Sequence, residues 1–311
     1  MLRRAFRLCL AGFLLFGACS SAPDTPEEVF EKRNQAARNM EAGNRYFREA
    51  AYNQALEFYQ MALDSYTAMD DSGGHVTALN SMGKVFFLAG EEEKAQGFYD
   101  KAWASARKSR QPALIIQSAN NRGELALRRG ENNKALETFR TALEMGAADA
   151  SGTLELAVLY HNMGASLRNA GDFAGALDCV LKAADMNRAA KRFSELASNY
   201  YLLSSIHFRQ DKLEEAKTNA LAALEYDKKM ENSPGIAQDL LALGAVAQKT
   251  GDTEEAHDAY KRSFLVYRSL GVLSGMRNSL EKLIDTSLTL NLKEENEHYR
   301  EAYKQLQPKA Q

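Results

Sequence analysis

The residue types best suited to acid–base or metal chemistry are few in this chain. The five histidines are His75, His161, His207, His257 and His298, widely spaced along it. None has a helical-spaced His, Cys or carboxylate pairing that looks like a metal site. There is no G-x-S-x-G turn, no phosphate loop and no dinucleotide fingerprint. The acidic run Glu91-Glu92-Glu93 lacks the alternating oxygen ligands of a calcium loop and suits a helix start, where it complements the dipole. The expectation is therefore no catalysis, no cofactor and no metal.

What does recur with fixed spacing is small residues, and these must be explained by the elements that carry them. Glycines stand at Gly43, Gly83, Gly123, Gly164 and Gly244, with Ser204 filling the series. Twelve positions after each comes an alanine: Ala55, Ala95, Ala135, Ala176, Ala216, Ala256. A second small series runs Ala62, Ala102, Ala142, Ala183, Ala223, Ser263. Between the two lies Tyr59, Tyr99, Phe139, Val180, Ala220 or Tyr260. The period is 40 residues, with one step of 41. A helical Gly costs about 1 kcal/mol relative to Ala, so phase-locked copies imply helices in close approach. Leu79, Met82 and Phe86, or Tyr160, Met163 and Leu167, mark apolar stripes at helical spacing. Gly90-Glu91, Gly130-Glu131, Gly171-Asp172, Gln210-Asp211 and Gly251-Asp252 read as the turns within each helix pair. Polar breaks at 70–74, 109–111, 146–152, 188–191 and 231–235 separate successive pairs. The series predicts an all-α solenoid without a second domain.

This lattice resembles the tetratricopeptide repeat. Gly83, Phe86, Ala95, Tyr99 and Ala102 match its small–aromatic–small pattern, as do Gly43, Tyr46, Ala55, Tyr59 and Ala62. The family's usual period is 34 residues; the longer period here is similar to that of the long-repeat members, such as kinesin light chains. The resemblance implies a right-handed α-α superhelix of about seven antiparallel helix pairs over residues 26–306. Its last pair, 271–306, is read as a degenerate capping repeat with a charged outer helix. It also implies that the first helix of each pair lines a concave face. Three columns would face inward there, three residues before each Gly, one after and five after. They supply Asn44, Arg48, Asn80, Lys84, Asn120, Arg128, His161, Asn169, Tyr201, Arg209 and Lys249, with Asn121 and Asn162 alongside. Asn can pair with a peptide group through both its donor and its acceptor. The basic residues would suit an acidic or carboxylate-terminated segment. The same Lys and Arg also fit plain solvated helix ends, which the dipole favours.

The N-terminus has its own logic. Arg3, Arg4 and Arg7 precede the apolar run Leu8–Phe16, followed by Gly17-Ala18-Cys19. The run is shorter than the roughly 20 apolar residues a spanning helix needs. Residues 1–18 resemble a bacterial lipoprotein signal peptide, which implies acylation of Cys19. Phe16 departs from the family's preferred Leu. Ser20-Ser21 lack the Asp that holds enterobacterial lipoproteins at the inner membrane, so the resemblance implies the outer membrane, facing the periplasm. Residues 19–25 would be a short tether, and Thr25-Pro26-Glu27-Glu28 has the makings of a capping box. Once residues 1–18 are removed, Cys179 is left as a lone thiol and the balance is 36 Lys+Arg against 41 Asp+Glu. So mild an acidity argues against nucleic acid as a partner. The expected function is a lipid-anchored, non-enzymatic scaffold that takes a partner protein or peptide in its groove. A peptide sensor that flexes on binding is the alternative.

Overall fold

The computed structural model describes residues 31–146 and 154–306. Within them lie fourteen α-helices and no strand. The first half comprises α1 (Glu31–Arg48), α2 (Tyr52–Ala68), α3 (Ser72–Leu88), α4 (Glu92–Ser109), α5 (Pro112–Arg128), α6 (Asn132–Glu144) and α7 (Leu154–Ala170). The second comprises α8 (Phe173–Ala189), α9 (Phe193–Arg209), α10 (Leu213–Lys229), α11 (Ser233–Thr250), α12 (Thr253–Leu270), α13 (Leu273–Thr289) and α14 (Lys293–Gln305). Each helix packs on its neighbours in sequence, and the odd-numbered helices α3, α5, α7, α9 and α11 also touch one another in turn. That second contact makes the odd helices the inner, concave layer. The signal segment, the tether, Cys19 and the Thr25 capping box lie outside the described residues.

The glycine series has a concrete cause. A Cβ on Gly43 would sit 2.6 Å from the Tyr59 ring, and one on Gly123 would sit 2.2 Å from the Phe139 ring. Gly83 with Tyr99 and Gly244 with Tyr260 repeat the contact. The close approach is thus of ring to backbone, made possible because the alanines of the even helices are fully buried beside it. Where the series breaks, volume is exchanged. Ser204 faces Ala220, both buried, and the Ser204 hydroxyl donates to the Ala216 carbonyl at 2.8 Å. A missing ring thus leaves room for a hydroxymethyl.

Turns within pairs fall where the sequence places them. Gly90, Gly130, Gly171 and Gly251 all have positive φ, and Asp211 takes the same left-handed conformation without being Gly. One boundary differs from expectation. Residues 70–74 are not all loop, because α3 starts at Ser72. Asp71 caps it, accepting from the Gly74 N–H at 3.0 Å, and Gly74 lies under the Tyr66 ring. Asn232 likewise caps α11 inside the predicted break at 231–235. Cys179 is buried, and burial pushes its thiol pKa up, away from reactivity.

Candidate functional site: the concave face

The column three residues before each Gly runs along the seam between inner helices. Asn80 Nδ2 donates to Ser118 Oγ at 3.0 Å, and Asn120 Nδ2 donates to the Glu155 carbonyl at 2.8 Å. Both asparagines are buried, so the structure places them between helices rather than on the open wall. His161 continues the series. Its Nδ1 stands 2.9 Å from Asn199 Nδ2, which can only donate, so Nδ1 accepts and the ring is neutral. Burial pushes its pKa down to about 4. Asn199 Oδ1 in turn accepts from Asn187 Nδ2 at 2.8 Å. Tyr201 is half-buried, and Asn121 and Asn162 are partly exposed.

The column five residues after each Gly also has a structural use. Arg128 Nη1 donates to the Phe87 carbonyl at 2.9 Å and Arg209 Nη1 to the Arg168 carbonyl at 3.2 Å, each reaching back 41 residues. Lys249 Nζ approaches the Phe208 carbonyl at 3.5 Å. These carbonyls belong to the last turn of the preceding inner helix, which a cation stabilises. Two of the three cations are also neutralised and stacked. Arg128 lies 4.6 Å above the Phe87 ring and pairs with Glu92 at 3.2 Å; Lys249 lies 4.8 Å above Phe208 and pairs with Asp211 at 2.7 Å.

Arg209 is different. Where Phe87 and Phe208 offer a ring, its neighbour is the cation Arg168. Arg168 donates only to neutral groups, Ser205 Oγ at 2.9 Å and Asn169 Oδ1 at 3.2 and 3.0 Å. Burial and the charge of Arg209 both lower its pKa. Neither arginine has a carboxylate partner among the described residues. Sequence reasoning missed Arg168, although a signal was there: its column otherwise holds Phe47, Phe87, Leu127, Phe208 and Gln248.

Other expected residues are placed separately. Asn44, Arg48 and Lys84 are exposed on α1 and α3, with Asn44 Oδ1 accepting from Tyr59 at 2.8 Å. Asn169 Nδ2 donates to Asn132 Oδ1 at 3.0 Å. Glu124, also missed, brings an acid into the first half of the groove. Crowding by the wall pushes its pKa up, while Lys84 and Arg128 pull it down. Among the groove cations, Arg168 and Arg209 are the two set next to each other.

Beside that pair lies a cavity of about 390 Å³, lined by His161, Arg168, Tyr201, Asp227, Pro234 and Asp239 among others. Asp227 and Asp239 were not anticipated. Asp239 is 1% exposed, and burial together with the Asp227 carboxylate pushes its pKa up to about 8. Among the described residues no group of three or more His, Cys, Asp or Glu could hold a metal ion, and no helix is long and apolar enough to cross a membrane.

Residues 195–269 match the tetratricopeptide repeat family. No curated protein matches the chain by sequence. Among solved structures, apo RapI is 14% identical, covers 87% of this chain and 97% of its own, and superposes with a TM-score of 0.69. A Rap protein complexed with competence and sporulation factor is 15% identical, with 88% and 74% covered and a TM-score of 0.63. PilW, a type IV pilus biogenesis factor, is 17% identical, with 79% and 98% covered and a TM-score of 0.59. At such identities the likeness is one of fold. The ring-on-glycine lattice carries the same packing beyond the matched residues, so the described chain has the fold of a tetratricopeptide-repeat solenoid.

Proposed function

We propose that this protein is a non-enzymatic scaffold that captures an acidic or carboxylate-terminated segment of a partner protein on its concave face. The observation that carries the reading is the Arg168–Arg209 pair. Two like charges side by side, one half-buried and neither neutralised, raise the energy of the empty groove. A carboxylate placed between them would relieve the repulsion and accept charge-assisted hydrogen bonds. Partly exposed Asn162 and Tyr201 border the same stretch and offer polar contacts to an extended backbone. The Rap protein complexed with competence and sporulation factor supports the use of such a fold to hold a partner.

The scaffold would be held at a membrane by acyl chains on Cys19, at the outer membrane and facing the periplasm, and serve assembly or regulation of an envelope complex. The signal-like N-terminus supports this, and the likeness to PilW is in keeping with it.

The test uses a peptide array in which each sequence ends either in a free carboxylate or in an amide. Arg168→Glu with Arg209→Glu should abolish the preference for the free carboxylate and weaken capture at least tenfold. Reversals at Lys182 and Lys217 on the outer helices should leave it unchanged. Equal losses from both sets would remove the groove reading. For the anchor, incorporation of a fatty-acid analogue should vanish in Cys19→Ala; label that persists would show the lipid assignment to be wrong.

A further inference from the structure

Beside the two arginines the cavity has an opposite pole. Asp227 comes from α10 and Asp239 from α11. Asp227 Oδ1 accepts from Asn232 Nδ2 at 3.0 Å. Its Oδ2 lies against Gly235, so close that a Cβ there would stand 1.8 Å away. Only glycine permits the carboxyl to sit there. Asp239 Oδ2 is buried and receives no hydrogen bond from any described residue. What stands against Asp239 is the Asp227 carboxyl, and the two can bond each other only while one of them holds a proton.

The neighbouring repeat shows what this junction needs for folding alone. Asn187 and Asn199 occupy the same register as Asp227 and Asp239, 40 positions earlier. There Asn187 Nδ2 donates to Asn199 Oδ1 at 2.8 Å, a contact made without charge. His161 tops that pair as Tyr201 tops the acids. The fold therefore accepts a neutral Asn pair, yet this junction carries two acids in a space that disfavours both. Like charges so placed call for a proton or a bound cation.

We propose that the Asp227–Asp239 pair is a receptor for a primary ammonium group of the bound segment, either its N-terminus or a lysine. The proposal rests on the reading of the concave face as a peptide groove and adds a second, oppositely charged anchor to it. The chemistry selects the cation. A metal ion would want more ligands than two carboxylates supply. A primary ammonium presents three N–H donors, and the two carboxyls and the Tyr201 hydroxyl offer three acceptors on one cavity wall. A cavity of about 390 Å³ has room for the aminomethyl group and the chain behind it. In the empty site one carboxyl keeps its proton, and the ammonium releases it. The titratable groups facing Asp239 are Asp227 from α10, Tyr201 from α9 and Tyr267 from α12.

Three small probes test this on the full chain by amide NMR at pH 6.5. They are glycinamide with an α-ammonium, N-acetyl-lysinamide with an ε-ammonium, and neutral N-acetylglycinamide. None carries a carboxylate, so none needs Arg168 or Arg209 as its partner. The Gly235 and Asn232 amides should shift with glycinamide or N-acetyl-lysinamide, and whichever binds more tightly identifies the source. They should not shift with the neutral probe or with potassium chloride at equal ionic strength. Both shifts should be lost in Asp227→Asn/Asp239→Asn, which installs the pairing already present at 187 and 199, and circular dichroism should stay unchanged. Calorimetry in two buffers should show proton release on binding. Absence of any shift, an equal shift from the neutral amide, or a shift that survives the double substitution overturns the proposal. Failure here leaves the carboxylate experiment standing, and failure there leaves this one.

Discussion

At the scale of single residues, two buried titratable groups of the concave wall act on stability in opposite senses. Asp239 is pushed up to about 8 from an ordinary 3.8. Between those values the folded chain holds a proton that the unfolded chain has released. Its contribution is therefore complete at low pH and is lost as pH rises through about 8, with a slope of at most about 1.4 kcal/mol per unit. Burial also raises Asp227, which acts in the same direction. His161 is pushed down from 6.5 to about 4. There the unfolded chain binds the extra proton, so this contribution is present above 6.5 and is lost as pH falls through about 4. The two slopes oppose each other in the acid range, and above 6.5 only the aspartate slope remains. Asp239→Asn should therefore gain stability over the wild type as pH rises from 5 to 8, read from urea midpoints at each pH. A difference that stays constant over that range would mean Asp239 is ionised in the folded chain.

At the scale of the helix pair, the packing lattice could be read from the sequence because it is steric and periodic. Gly83 and Tyr99 signal each other across a fixed interval, and the left-handed turns at Gly90 and Gly171 follow from the same count. Side chains that meet across the seam between repeats were harder to read. Asn80 and Asn120 lie three residues before Gly, which turns them about 60° around the helix. That angle falls between groove wall and seam, and contact with the next helix settles it. Asp227 and Asp239 meet only because α10 and α11 are adjacent, although the Asn187–Asn199 spacing shows the same register. The steric logic makes its own prediction at Ser204 and Ala220. Ala220→Tyr puts a ring where the Ser204 side chain sits, and overpacking should cost about 2–3 kcal/mol. Ser204→Gly in the same chain recreates the arrangement of Gly244 under Tyr260 and should recover most of that loss in urea unfolding. Additive losses from the two changes would show that ring and glycine are not coupled.

At the scale of the whole molecule, the curvature is set where inner helices meet, and the reach-back cations tie those meetings together. Arg128 joins α5 to the end of α3, Arg209 joins α9 to α7, and Lys249 joins α11 to α9. The series has gaps, for Leu88 occupies this position on α3 and Asn169 on α7 turns to Asn132. The solenoid therefore already tolerates steps without a tie, so each tie adjusts the superhelix rather than deciding whether it folds. The ties differ in net value. Removing Arg128 loses a carbonyl bond, a ring contact and the Glu92 pair, together worth about 1–2 kcal/mol. Removing Arg209 loses a carbonyl bond but also ends its repulsion of Arg168, so the two changes offset. Arg128→Leu should lower the melting temperature, speed amide exchange at the end of α3 and broaden the size distribution in solution scattering. Arg209→Leu should leave melting nearly unchanged while weakening capture of carboxylate-ended peptides. If Arg209→Leu is as destabilising as Arg128→Leu, the second arginine is a structural tie like the first, and the unneutralised pair loses its claim to be a binding site.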